Sequence, residues 1–197
     1  MRQFSALAFA ALLLAPTAAL AHTGAGVTHG FMHGFGHPIG GLDHILAMVT
    51  VGIFAAQLGG RALWLVSGAF VLVMAAGGTA GMAGIAMPFV EIGIALSVVV
   101  LGAIVALRLK APVAIAMGLV GFFAIFHGYA HGAEMPQDTG GAAYGLGFMA
   151  ATALLHVAGI GLGLLAGGIG ERRGTAAIRV TGCLVALAGV GLLAGVV

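Results

Sequence analysis

Residues 126–134 read FHGYAHGAE and close an apolar run that begins near Ala111. On a helix His127 and His131 stand at i and i+4, and Glu134 at i+7, so the three share one stripe. A second group, HPIGGLDHILAM, opens another apolar run and carries His37, Asp43 and His44. His37 and His44 are seven apart, which on a continuous helix returns them to nearly one face. Asp43, offset by about 100°, can orient an imidazole or bind an ion itself. Pro38 suits a first helical position, where its missing N–H would be unsatisfied anyway. Ionisable groups inside an apolar span are costly unless paired, and they mark an ion or substrate path. One such histidine would read as a core residue satisfied by a backbone carbonyl; two histidines and a glutamate on one stripe do not. Imidazole with carboxylate and no thiolate suits Ni²⁺, Co²⁺, Zn²⁺ or Cu²⁺ better than Mg²⁺ or Cu(I). The nine methionines are dispersed at core spacing and do not form a Cu(I) site.

These groups have to be held by membrane helices. The chain has 197 residues, 61% hydrophobic and 6% charged, with a mean hydropathy of +1.20. A soluble domain carries about 25% charged residues, so lipid is the solvent for most of this surface. Seven basic residues, scattered beside apolar runs, are no nucleic-acid footprint. The single cysteine, Cys183, excludes an internal disulfide framework and a Cys-based zinc cluster. Residues 1–21 read as a cleavable signal peptide, with Arg2, an apolar stretch, then Ala19-Leu20-Ala21 as the cleavage site; a retained first helix is the alternative. Residues 22–197 then form one transmembrane domain. Its six hydrophobic spans lie at approximately 38–58, 62–84, 88–107, 111–133, 141–168 and 175–197, each near or above the ~20 residues a spanning helix needs. The expected fold is all-α, a polytopic membrane protein built as a compact bundle of six transmembrane helices.

Charge orients the bundle. With the mature amino terminus outside, the inner loops hold Arg61, Arg108, Lys110, Arg172 and Arg173, with Arg179 just inside the last span. The outer loops hold no Lys or Arg, and the second carries Glu134 and Asp138. The positive-inside rule therefore places both mature termini on the periplasmic side of a bacterial inner membrane. Asp43 and His44, Glu91 (one turn inside span three after Pro88), and His127 and His131 then all fall in the outer leaflet. The remaining histidines are secondary. His29, His33 and His37 recur every four residues and would line one face of an extracellular or re-entrant helix, with a flexible glycine-rich tail as the alternative. His22 would become the amino terminus after cleavage, offering amine and imidazole to one ion. His156 lies deeper in span five, either as an onward ligand or as a core residue. Gly159, Gly163 and Gly167 give two G-x-x-x-G steps. These suit close helix packing within the monomer, or a homo-oligomer seam.

At HPIGGLDHILAM and FHGYAHGAE, and in its signal peptide and six spans, the whole chain resembles the HupE/UreJ family of nickel-permease-like membrane proteins associated with hydrogenases and ureases. The resemblance implies secondary uptake of nickel, or of cobalt in some members. It maps the family's motifs onto His37, Asp43 and His44 in span one, and onto His127, His131 and Glu134 in span four. With Glu91 added from its depth, the expected protein is a non-enzymatic transporter. It holds no permanent cofactor, and its substrate is Ni²⁺ or Co²⁺. Two other classes stay open on the residues alone: a haem-binding electron-transfer protein using histidine pairs as axial ligands, and an intramembrane metalloenzyme with three ligands and a water.

Overall fold

Runs of Val, Leu, Ile and Ala leave the backbone as the main polar load, and in lipid a helix satisfies that load within each segment. The computed structural model describes residues 30–136 and 140–196, and every regular element among them is an α-helix. In chain order these are α1 Gly30–Gly40, α2 Leu42–Leu58, α3 Ala62–Met82, α4 Val90–Leu107, α5 Val113–Ala133, α6 Gly141–Gly168 and α7 Glu171–Leu193. The signal segment 1–21, His22, His29 and Asp138 lie outside the described residues. Helices α3 to α7 are each long and apolar enough to cross a membrane, and α1 with α2 form a sixth, broken span. At about 1.5 Å per residue, the 21 residues of α3 and of α5 reach about 32 Å.

The first span departs from the sequence expectation. It is not one helix starting at Pro38: α1 already runs from Gly30, holds Pro38 in its interior, and meets α2 at 84°. Tertiary packing explains the earlier start. At Gly34 any Cβ would collide with the carbonyl of Tyr144 in α6, and at Gly147 with that of Phe31, so α1 lies backbone-to-backbone on α6. The chain turns at Gly41, which is extended (φ −99, ψ 124) and caps α2. His37 and His44 are therefore on different helices, and their seven-residue spacing no longer places them on one face. The last span also shifts. α7 begins at Glu171, so Arg172 and Arg173 belong to its exposed first turn, where long cationic side chains can reach the membrane surface.

Helix α2 is central, with Ala47, Met48, Val51, Ile53, Phe54 and Ala55 all buried. The periphery is apolar as well: Leu72, Leu165 and Leu187 are 69%, 70% and 66% exposed. A soluble protein rarely shows so extended an apolar exterior, whereas a lipid-facing one does. Glycine sets the helix spacing. Gly128 and Gly132 of α5 press onto the backbone carbonyls of Met74 and Gly78 in α3, and Gly77 and Gly81 reciprocate against Ile125 and Tyr129. Gly159 packs against Val49 of α2, and a Cβ on Gly163 would lie 2.6 Å from Ala56 Cβ, while Gly167 has open space around it. Two of the three G-x-x-x-G glycines thus serve packing inside the chain.

Candidate metal centre

The site starts at the break between α1 and α2. Asp43, in the first turn of α2, accepts the backbone N–H of His44 at 2.8 Å and faces His44 Nδ1 at 3.0 Å, both through Oδ1. A carboxylate oxygen only accepts, so the neutral ring carries its proton on Nδ1 and keeps its lone pair on Nε2. His44 Nε2 is buried without a hydrogen-bond partner in the protein. Glycine at position 41 makes room for this pair, since a Cβ there would sit 2.7 Å from Asp43 Oδ1 and 3.2 Å from His44 Nδ1.

Helix α5 supplies the facing imidazoles. Each histidine of FHGYAHGAE is followed by a glycine. Gly128 and Gly132 seat α5 against α3, and the residue before each is turned by about 100° toward the bundle interior. Ser97 of α4 bonds its own helix at Ile94 O (2.6 Å) and lies 2.8 Å from His127 Nε2. With the hydroxyl proton donated to Ile94, His127 Nε2–H donates to Ser97 Oγ, which leaves the Nδ1 lone pair free. That Nδ1 and both ring nitrogens of His131 are buried without partners. His131 is stacked on Phe148 at 5.1 Å between ring centroids. At the rim, His37 Nε2 donates to Glu134 Oε2 at 2.9 Å, a contact between α1 and the end of α5.

The rings form a row. Centroids are separated by 4.9 Å from His37 to His131, 4.3 Å from His131 to His44, and 4.7 Å from His44 to His127. Above the row opens a cleft of about 740 Å³ whose walls include His33, His37, Asp43, His44, Glu91, His131 and Glu134. At about 30 Å³ per water, it has room for an ion with a full hydration shell. His127 stands behind His44 rather than in the cleft wall. Among the described residues, no three His, Cys, Asp or Glu side chains are set as a ready metal cage. The arrangement is a graded row, exposed at His37 and Glu134 (32% and 57%) and closed at His127 (0%).

The structure therefore brings together His37, Asp43, His44, Glu91, His127, His131 and Glu134, with His33 stacked near His37 at 6.3 Å. It does not bring in His156, which is buried deeper and separated from His127 by the ring of Phe70. Sequence reasoning missed Ser97, Phe148 and Phe70. A lone serine in an apolar helix commonly bonds its own carbonyl, and a phenylalanine is ordinary core, so neither carried a signal by spacing.

Fold and site together define a multi-pass helical membrane protein with a cleft of histidines and carboxylates at one end of its bundle. The chain belongs to the HupE/UreJ family: the family described as HupE / UreJ protein matches residues 10–192. It is similar to Protein HupE of Rhizobium leguminosarum bv. viciae, with 50% identity over 185 residues, covering 94% of this chain and 95% of that protein. No solved structure matches it.

Proposed function

We propose that the protein is a permease, not an enzyme, that takes up a divalent transition metal ion across the bacterial inner membrane. Its substrate would be nickel, with cobalt as the close competitor, and the supply would serve hydrogenase or urease maturation. The observation that carries this reading is the row of imidazoles at the floor of a carboxylate-lined cleft, two of them holding a lone pair free through a fixed tautomer. In this reading the cleft faces the periplasm. Glu91 and Glu134 draw the hydrated ion in, and Asp43 offsets its charge and orients His44. His37, His131, His44 and His127 replace its waters one or two at a time. Without a rigid cage the ion is held loosely enough to leave, as a carrier requires. The ring spacing speaks against a haem, because imidazoles 4.3–4.9 Å apart leave no gap for a macrocycle between them.

The reading predicts a pH dependence with a definite sign. Imidazole binds metal only when neutral, and its reference pKa is about 6.5. Protons therefore compete with the ion as the outside is acidified. The metal concentration for half-maximal uptake should rise several-fold between about pH 7 and pH 5.5, while the rate at saturating metal changes less. Initial nickel uptake into vesicles, with the membrane potential clamped and cobalt run in parallel, measures it. A half-saturation value that stays constant across that window would remove neutral histidines as the capturing ligands.

A further inference from the structure

Beyond the outer row the helices carry one more imidazole that the site does not use. His156 of α6 lies about 22 Å along that helix from Gly141, past the midpoint. It is 1% exposed, and both its ring nitrogens lack a hydrogen-bond partner. Two buried hydroxyls of this bundle settle on their own helix, Thr50 on Leu46 O and Ser97 on Ile94 O. An imidazole used merely as core filler would leave an N–H orphaned, which is unfavourable in a dry interior. Its neighbours are placed to isolate it. The buried ring of Phe70 stands edge-on to it at 5.2 Å and lies 5.7 Å from His127, so one aromatic ring separates the last imidazole of the outer row from His156. On its other side His156 backs onto a groove of about 320 Å³ between α3 and α6, lined also by Ser67 and opening on the apolar exterior at Trp64, Leu72 and Val157. Ser67 Oγ is likewise buried and unpartnered. Trp64 stands three residues after Arg61, at the basic end of the bundle.

We propose that His156 is a second, inner station for the divalent metal ion, divided from the outer row by the Phe70 ring. The proposal rests on the transport reading above. An ion released by His127 needs a nitrogen ligand before it reaches the basic end, because apolar helix surface offers none. His156 is the imidazole beyond Phe70, and its free lone pair suits the same borderline-soft cation that the outer histidines suit. Passage then requires the Phe70 ring to turn aside, so the two stations are not open to one another continuously. A quadrupolar ring face tolerates a passing cation better than an aliphatic side chain would.

The test uses the full-length chain, purified for equilibrium binding of radioactive Ni²⁺ and reconstituted into vesicles for Ni²⁺ uptake. The variants are His156→Ala and His156→Gln, with His44→Ala as the outer-row control. Both His156 variants should bind nickel within about twofold of the wild-type affinity, yet take it up at least about fivefold more slowly, the size of effect expected when a ligand on the path is lost. His44→Ala should lose binding and uptake together. Uptake reduced less than fivefold by the His156 variants would overturn the inner station. So would a loss of binding in step with uptake, since His156 would then support the outer row or the fold. A wild-type protein that binds no nickel would instead overturn the outer-row reading, and the His44 control separates the two failures.

Discussion

Replacing either His44 or His131 by alanine is expected to lower initial metal uptake by about one to two orders of magnitude, and replacing both by little more. The rings are 4.3 Å apart by centroid and come from different helices, α2 and α5. Residues that act on one ion as a unit are strongly non-additive: once the first ligand is gone, the second has no complex left to stabilise. Uptake in cells expressing the single and double variants, corrected for protein in the membrane, reads the coupling directly. Losses that simply multiply would mean that the two motifs work independently. The prediction does not depend on which metal is carried.

Gly128→Leu is expected to prevent the protein from folding, and Gly128→Ala to destabilise it markedly. A Cβ at Gly128 would fall inside the van der Waals boundary of Met74 O, with the backbone of Gly78 close beside it. Side chains can swing away from such a collision, but a helix backbone cannot. Overpacking commonly costs about 1–3 kcal/mol, and here α5 must separate from α3 along its length, so the upper end or beyond applies. The same shift would carry His127 and His131 away from His44. Thermal unfolding of detergent-solubilised protein is the measurement, with Gly118→Ala as the control because position 118 has nothing within 4 Å. A Gly128→Ala protein as stable as Gly118→Ala would show that the α3–α5 seam has slack.

Much of the fold and site is legible in the sequence. Hydropathy located α3, α4, α5 and α6 within about two residues at each end, because a membrane span must be long, apolar and closed upon its own hydrogen bonds. Depth along alternating helices placed Asp43, His44, Glu91, His127 and His131 at one end of the bundle, and they do meet there. The first span was misread for a physical reason. Residues 38–58 form an unbroken apolar window, and a hydropathy average does not register a change of direction. What turns the chain at Gly40-Gly41 is the fit of Gly34 and Gly147 across α1 and α6, a contact between segments over a hundred residues apart. The consequence for the site is specific: His37 reaches His131 and Glu134 from a separate helix, not by heptad spacing within one. Ser97 was invisible because its importance lies in one proton, fixed on His127 Nε2 by a hydroxyl already committed to Ile94.

X-ray absorption at the nickel edge, recorded on purified wild-type protein loaded with one equivalent of Ni²⁺, tests most directly whether the outer row captures the ion. The spectrum should show nitrogen and oxygen neighbours with the outer-shell scattering that imidazole rings produce, and no thiolate sulfur, since the cleft offers histidine, carboxylate and the Met32 thioether but no thiolate. In His44→Ala/His131→Ala protein the imidazole scattering should fall away. An all-oxygen shell in the wild type, or a wild-type spectrum reproduced by the double variant, would contradict the account.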